Sequence, residues 1–369
     1  MIKFKKYLKD LTPYPPGKTI DELKRELGIK GKIYKFNSNE NPLGPPESVK
    51  KFIKEIAESV HLYPEASYVE LKKKVADLWD VKSSQVVLGN GSDEVLEFVF
   101  KALINPGDEI IVSQPSFLMY EKFGEIYGAS IKKIPLTSTL KHDFEKILNE
   151  VSSNTKVIFL DHPHNPTGQV LKRKEWESFL KNIPRDILVV IDEAYGDFIE
   201  DADVPLGVEF LKEGYTILVV RTLSKSYGLA GLRIGYGVTR PEIAEVLDAV
   251  RQPFNLNLIA YKAGIVALED KEYLKKSRKL VFEGRRYLTR ELESMGFKVL
   301  PSQANFIMVN FGDKAELIYK ELLKKGVLVR PLKAYGFGSY LRISIGLMED
   351  NQYLIKCIKE VLKGGKGES

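Results

Sequence analysis

Apolar and polar positions follow two regimes along this chain. From Glu47 onward, helical periods at Glu47–Ser59 and Val69–Leu78 give way to short runs rich in β-branched residues. The runs are Val86–Leu88, Glu109–Val112, Val157–Leu160, Ile187–Ile191, Ile217–Val220 and Ile234–Val238, with amphipathic stretches between them. Short continuous apolar runs alternating with helices predict an α/β fold: a mostly parallel sheet, buried on both faces, with helices on each side. Past about Arg251 the pattern changes to long charged helices at Glu272–Met295, Lys314–Lys325 and Asp350–Leu362, with brief strands near Phe297–Leu300, Phe306–Val309 and Leu341–Ile345. This reads as a smaller α+β domain. The first 45 residues read as irregular, with Pro13, Pro15, Pro16 and Gly17, a short charged helix near Thr19–Leu27, and then Asn39–Pro46. Such an arm has no core of its own. The expected division is an arm at 1–45, a large domain at 46–260 and a small C-terminal domain at 261–369.

Composition narrows the function classes. At 369 residues the length fits two domains, and 44% apolar with 29% charged residues excludes a disordered or fibrous chain. Lys+Arg 56 against Asp+Glu 50 leaves only +6. The basic clusters Lys72–Lys74, Lys275–Lys276 and Arg285–Arg286 alternate with acids and apolar residues, as solvated helix faces do, so no nucleic-acid partner is expected. The single cysteine, Cys357, allows neither an internal disulfide nor a thiolate metal site. His162 and His164 stand at i and i+2 with no acidic ligand set beside them, so no metal is expected either. Runs such as Ile187–Ile191 are too short to span a bilayer, and Met1–Asp10 is lysine-rich without an apolar core. The expected location is the cytoplasm.

Four local signals sit where an open α/β sheet puts its ligands, just past strand ends. Leu88-Gly89-Asn90-Gly91-Ser92-Asp93-Glu94 runs from a strand into a helix, where glycines permit close approach and free N–H groups suit a phosphate. Taken alone it is an ordinary capped turn. His162-Pro163-His164-Asn165-Pro166-Thr167-Gly168 is a Pro- and Gly-rich turn that leaves Asn165 to be explained. In Ile187–Tyr195, Asp192 closes a buried apolar strand, which is costly unless the carboxylate meets a cation. Thr222-Leu223-Ser224-Lys225-Ser226-Tyr227-Gly228, followed by Gly231-Leu232-Arg233, sets a lysine among hydroxyls and apolar residues that can lower its pKa.

Together these parts suit one cofactor. A phosphate needs the N–H groups of Gly91 to Asp93, the hydroxyls of Thr222 and Ser224, and a charge such as Arg233. A pyridinium needs a buried anion, Asp192; a ring phenolate needs donors, Asn165 and Tyr195; an aldehyde needs an amine, Lys225. That cofactor is pyridoxal 5'-phosphate.

With these motifs in place, the chain resembles the fold-type I, aspartate-aminotransferase-like pyridoxal-phosphate enzymes over essentially its whole length. Within them it is most similar to the histidinol-phosphate aminotransferases. The closer match rests on Leu11-Thr12-Pro13-Tyr14, Ser38-Asn39-Glu40-Asn41-Pro42-Leu43-Gly44-Pro45, Tyr63-Pro64, Asp192-Glu193-Ala194-Tyr195, and Arg330 with Leu341-Arg342-Ile343. The resemblance implies that Lys225 bonds the cofactor aldehyde and shuttles protons, that Asp192 keeps the ring nitrogen protonated, and that Phe117 stacks on the ring. Gly91, Ser92, Asp93, Thr222, Ser224 and Arg233 would hold the phosphate, with Asn165 and Tyr195 on the ring oxygen. It further implies a homodimer whose arm packs on the small domain and the partner subunit, with Tyr63 reaching the partner's cofactor phosphate. Tyr14, Glu40, Asn165, Arg330 and Arg342 would line the substrate pocket, Arg342 being the main anion fork. The implied reaction is reversible ping-pong transfer from histidinol phosphate to 2-oxoglutarate, giving imidazole-acetol phosphate and glutamate, in histidine biosynthesis. One departure is His162 and His164 beside the Asn-Pro-Thr-Gly turn, where Asn or small residues are common. Two other readings keep the cofactor: an aromatic aminotransferase and an amino-acid-phosphate decarboxylase. A non-catalytic regulator would need a DNA-binding extension, for which the first 45 residues are too short and Pro-rich.

Overall fold

The computed structural model describes residues 2–9, 11–13, 22, 25 and 31–364. In chain order its strands are β1 (Tyr34–Phe36), β2 (Val86–Asn90), β3 (Glu109–Gln114), β4 (Ser130–Pro135), β5 (Thr155–Asp161), β6 (Leu188–Asp192), β7 (Ile217–Thr222), β8 (Ile234–Val238), β9 (Lys298–Val299), β10 (Phe306–Asn310), β11 (Val327–Leu332) and β12 (Phe337–Ser344). They form a seven-stranded sheet in the order β2-β8-β7-β6-β5-β3-β4 and a five-stranded sheet in the order β1-β11-β12-β10-β9.

The first sheet is parallel from β7 to β4, while β8 runs antiparallel to both its neighbours. Its inner strands carry continuous apolar runs because both faces are covered. On β6, Leu188 and Val190 enter one core, and Val189 and Ile191 enter the other. The helix Ser92–Leu103 buries Val95, Leu96, Phe98, Val99 and Phe100 against the first of these cores. Such side chains contribute about 1.5–3 kcal/mol each relative to exposure. Its start can descend onto β8 only because Gly235 has no side chain; a Cβ there would collide with the backbone of Gly91 and Ser92. The expected architecture, a mostly parallel sheet flanked by helices, is the one found.

The second sheet packs Phe306, Val309, Val329 and Ile343 against Leu288 and Leu292 of helix Lys271–Ser294, Ile318 and Leu322 of helix Ala315–Lys324, and Leu354 and Ile358 of helix Met348–Gly364. No helix among the described residues is long and apolar enough to cross a membrane.

Several expectations need correction. The first 45 residues are not irregular throughout: β1 pairs in parallel with β11, so the end of the arm is an edge strand of the second sheet. The start of the arm lies elsewhere, with Tyr7 over Gly128 and the Lys122 amine 3.2 Å from Thr12 Oγ1, against helix Leu118–Tyr127. Of the helix expected near Thr19–Leu27, only Glu22 and Arg25 fall among the described residues, and both are helical. The sequence pattern does not predict β4, because Ser-Ile-Lys-Lys-Ile-Pro has no apolar run; it is an edge strand, where lysines and a terminal proline are tolerated. Helix Leu258–Glu269 passes through 260/261 without a break, and its buried face joins the core built by Val49, Tyr68 and Leu71. The chain turns instead at Asp270, whose carboxylate caps the next helix by accepting from the Tyr273 N–H at 3.0 Å.

Candidate active site

The ends of β5, β6 and β7, the start of helix Ser92–Leu103 and the loop at Ser38–Glu40 enclose a cavity of about 250 Å³. Lys225 projects into it from the loop after β7, its Nζ donating to the Ser38 carbonyl at 3.3 Å. Burial and the Arg342 charge lower its pKa to about 8, against the opposing pull of Glu40 and Asp93. An appreciable fraction is therefore the free, nucleophilic base at neutral pH.

Asp192 ends β6 inside the same cavity and is almost wholly buried. The Tyr120 hydroxyl donates to its Oδ2 at 2.9 Å and the Ala194 N–H to its Oδ1 at 3.1 Å. Burial raises its pKa to about 7, and among the described residues it forms no ion pair. A carboxylate so placed gains from any cation that enters.

Hydrogen bonding also fixes which way the neutral donors face. Asn165 Oδ1 accepts from Arg342 Nη1 at 2.6 Å, which leaves its Nδ2 as the end available to donate. The Tyr195 oxygen accepts from Asn39 Nδ2 at 3.0 Å, so its own proton is left to give, and burial raises its pKa to about 12. Asn39 is held in turn: its N–H donates to Ser344 Oγ at 2.9 Å, and its Oδ1 accepts from that hydroxyl at 2.8 Å. It adopts a left-handed φ of 54°, which asparagine tolerates better than most residues.

The remaining wall is an anion cradle. Gly91 precedes helix Ser92–Leu103 with φ 82°, leaving the first helical N–H groups open at the positive end of the helix dipole. Arg233 comes from the other side of the cavity in a left-handed conformation, φ 58°, packs over Gly91, and places Nη2 3.3 Å from Asp93 Oδ2. Asp93 can serve an anion through its N–H only; its carboxyl is a like charge, and burial raises its pKa. The Thr222 and Ser224 hydroxyls, 2.9 Å apart, complete this side. Phe117 and Glu40 also face the cavity, the latter paired with Lys35 at 2.5 Å.

A buried ion-pair cluster holds the two critical loops in register. Arg221 Nη2 meets Glu193 at 2.6 Å and its Nη1 meets Asp197 at 2.8 Å, while Ser226 Oγ donates to Asp197 at 2.5 Å. Asp192 and Lys225 are the immediate neighbours of Glu193 and Ser226, so their positions are set by this cluster.

The residues read from the sequence do not all converge. Arg342 lies buried behind Asn165, also donating to the Asn37 carbonyl at 2.8 Å. Arg330 is its direct cross-strand partner, so both emerge on one face of the second sheet. Tyr63 lies off the cavity, 80% exposed, stacked on Phe254 at 4.6 Å. Tyr14 lies outside the described residues. Conversely, Ser38, Asn39, Tyr120 and Asp161 contribute to the site without being among the site residues expected from the sequence. Asp161 carried a legible signal, an acid closing the apolar run Val157–Leu160, as Asp192 closes the next one. His162 and His164 are buried, joined by His142. His142 and His164 each donate from Nε2 to a carbonyl, of Asp161 and Pro115, and approach Ser113 and Thr167 with Nδ1. With Asp161 they form a group of ligand type, but every ring nitrogen of the two is already engaged by the protein.

Known proteins share both sequence and architecture with this chain. A histidinol-phosphate aminotransferase of Caldicellulosiruptor saccharolyticus is 41% identical over 359 residues, covering 97% of this chain and 100% of that one. One of Moorella thermoacetica is 39% identical, covering 98% and 93%. The crystal structure of histidinol-phosphate aminotransferase from Sinorhizobium meliloti, in complex with pyridoxal-5'-phosphate, superposes with a TM-score of 0.89 at 26% identity over 99% of this chain and 98% of that one. The family aminotransferase class I and II matches residues 31–358. With the family matched over residues 31–358 and relatives about 40% identical over nearly the whole length, this chain belongs to the class I and II aminotransferases.

Proposed function

We propose that this chain moves the amino group of histidinol phosphate to 2-oxoglutarate, with pyridoxal 5'-phosphate as cofactor, yielding imidazole-acetol phosphate and glutamate. One observation carries the chemistry: a lysine amine with a lowered pKa and a buried acid lacking a cation share a cavity with an open helix N-terminus. The donor set fits the cofactor part by part. The N–H groups of Gly91, Ser92 and Asp93, the hydroxyls of Thr222 and Ser224, and Arg233 would hold its phosphate; Phe117 would cover its ring; Asn165 Nδ2 and Tyr195 O–H would bond the ring oxygen. When bound, the cofactor supplies an aldehyde and an electron-withdrawing ring. Asp192 would hold the proton on the ring nitrogen. Lys225 Nζ would take a proton from the substrate carbon that bears the amine and deliver it to the carbon that had been the cofactor's aldehyde, on the far side of the nitrogen, which a group of pKa about 8 can do reversibly near neutral pH.

Histidinol phosphate and glutamate present different anions, and the second sheet offers two guanidinium groups for them. Arg342 and Arg330 oppose each other across β12 and β11, an arrangement suited to a phosphate, with its greater charge. Tyr14 and Glu40 would contribute further contacts. Expected outcomes follow for separated half-reactions measured by stopped flow. Arg330→Ala should weaken histidinol phosphate by roughly tenfold to a hundredfold, as loss of a charged hydrogen bond of about 1.5–3 kcal/mol implies, and glutamate much less. Arg342→Ala should impair both. Equal losses in Arg330→Ala, or histidinol turned over as well as its phosphate ester, would instead favour an aromatic aminotransferase.

The chain divides best at Asp270 into a larger unit around the seven-stranded sheet and a smaller one around the five-stranded sheet, the latter completed by β1. A homodimer is supported by exposed apolar side chains close together in the chain, Val60 59%, Leu62 56%, Tyr63 80% and Val69 59%, which a second copy would cover. Tyr63 would then reach the partner's cofactor phosphate. A free buried thiol at Cys357 suits a cytoplasmic setting.

A further inference from the structure

Asp192 has a twin. Its register partner on the neighbouring parallel strand is Asp161, so the two carboxyl groups leave β6 and β5 on the same face, about 4.8 Å apart at the backbone. Both are almost wholly buried and both line the cavity. Asp161 Oδ2 accepts from the Asn165 N–H at 2.6 Å. Its Oδ1 lies 3.7 Å from His142 Nε2 and 3.9 Å from His164 Nε2, beyond hydrogen-bond reach of either. Both of those nitrogens donate to carbonyls, and burial lowers the pKa of both rings to about 4, so near neutral pH they bring no cation to Asp161.

Tyr120 approaches Asp192 from helix Leu118–Tyr127, whose preceding residue is Phe117. Its ring stacks on Phe159 at 5.2 Å and meets Phe117 edge-on at 5.6 Å, which fixes the hydroxyl on Asp192 Oδ2. The Tyr120 hydroxyl stays a donor, since burial and the Asp192 charge push its pKa well up. Asp93 faces the cavity from helix Ser92–Leu103, and Lys225, Arg233, Glu40 and Tyr195 complete its titratable and charged lining, with Arg342 behind Asn165.

We propose that Tyr120 and Asp161 are positioning residues acting on Asp192 with opposite sign. The Tyr120 hydroxyl favours the Asp192 carboxylate, while the Asp161 charge one strand away drives Asp192 to hold a proton. Together they set how firmly Asp192 retains a proton shared with a cationic ring. This rests on the reading that Asp192 faces the cofactor's ring nitrogen. A like charge at this range shifts a carboxyl by about 1–3 pH units, and a lost donor shifts it the other way.

The test is a carboxyl titration of the full-length chain, stripped of cofactor and carrying ¹³C-labelled aspartate, with Asp192→Asn identifying the resonance. The wild-type midpoint should lie near 7. Tyr120→Phe should move it up and Asp161→Asn down, each by about one unit or more. A purely structural role would not produce shifts of opposite sign. Shifts in one direction, or none, overturn the proposal. If Asp161→Asn fails to fold, Asp161→Ser removes the same charge, keeps a hydroxyl acceptor for the Asn165 N–H and should shift the midpoint the same way. A second arm loads the chain with ¹⁵N-labelled pyridoxal phosphate. A ring ¹⁵N resonance indifferent to Asp192→Asn would defeat the underlying assignment of Asp192, while the titration result would stand by itself.

Discussion

His142, His162 and His164 carry opposite consequences to Asp192 for acid stability. Burial lowers the histidines to about 4, 3 and 4, from an ordinary 6.5, and raises Asp192 to about 7 from 3.8. Between pH 6.5 and 4 the unfolded chain binds the histidine protons that the native state refuses. The stability that the neutral histidines contribute is complete above 6.5 and is lost as pH falls toward 4. Asp192 works the other way: the native state takes its proton near 7, the unfolded state only near 4, so it adds stability as pH falls through that window. Asp192→Asn removes this compensation. In urea unfolding of the cofactor-free chain at pH 7, 6 and 5, the variant should lose stability more steeply than wild type, by up to about 1.4 kcal/mol per pH unit. Parallel slopes would contradict a buried, proton-holding Asp192.

Helix Ser92–Leu103 shows what an element must do to bind an anion: end a strand abruptly, turn at a positive φ, and expose its first N–H groups. Gly91 makes that turn, and a Cβ there would strike the Arg233 guanidinium. Gly91→Ala should therefore leave the fold intact and weaken cofactor retention at least about tenfold by equilibrium dialysis, since the added Cβ would displace the Arg233 guanidinium, and a lost charged hydrogen bond costs about 1.5–3 kcal/mol. Gly107→Ala, with φ 97° and nothing within 4 Å of the added atom, is the control that bears the strain without the collision. This element was legible in the sequence because glycine, a capping run and an apolar strand are local signals. The same holds for Asp192 and Lys225, each at the end of an apolar run. β1 and β4 were not legible, since Tyr34–Phe36 and Ser130–Pro135 are edge strands without an apolar run. Nor was Tyr120, because a buried helical tyrosine has the same sequence pattern whether its hydroxyl meets a backbone carbonyl or Asp192. The Asn39 contacts to Tyr195 and Ser344 join residues distant in the chain, and no local pattern encodes such a pairing.

For the whole molecule, a second copy would account for the exposed apolar side chains near Tyr63 in the chain and for the absence of Tyr63 from the lining of its own cavity. The purified protein should run as a dimer by light scattering. A mixture of inactive Lys225→Ala chains with inactive Tyr63→Ala chains should regain some activity, because heterodimers assemble one site with both residues intact. A fully active monomer would contradict this. A different property of the molecule follows from β1. Tyr34 pairs with Val327, about 290 residues further along the chain, and the residues just past β1 supply the acceptors for Lys225 and Arg342 and the amide that reaches Tyr195. The seven-stranded sheet is drawn from Val86–Val238 and can close while synthesis is still under way. The strap at Asn37–Asn39 cannot be anchored until β11 and β12 have emerged. A nascent chain stopped short of Val327 therefore already possesses the anion cradle and the lysine, but neither of the strands against which the strap is held. The contacts of the strap are thus among the last of the site to form.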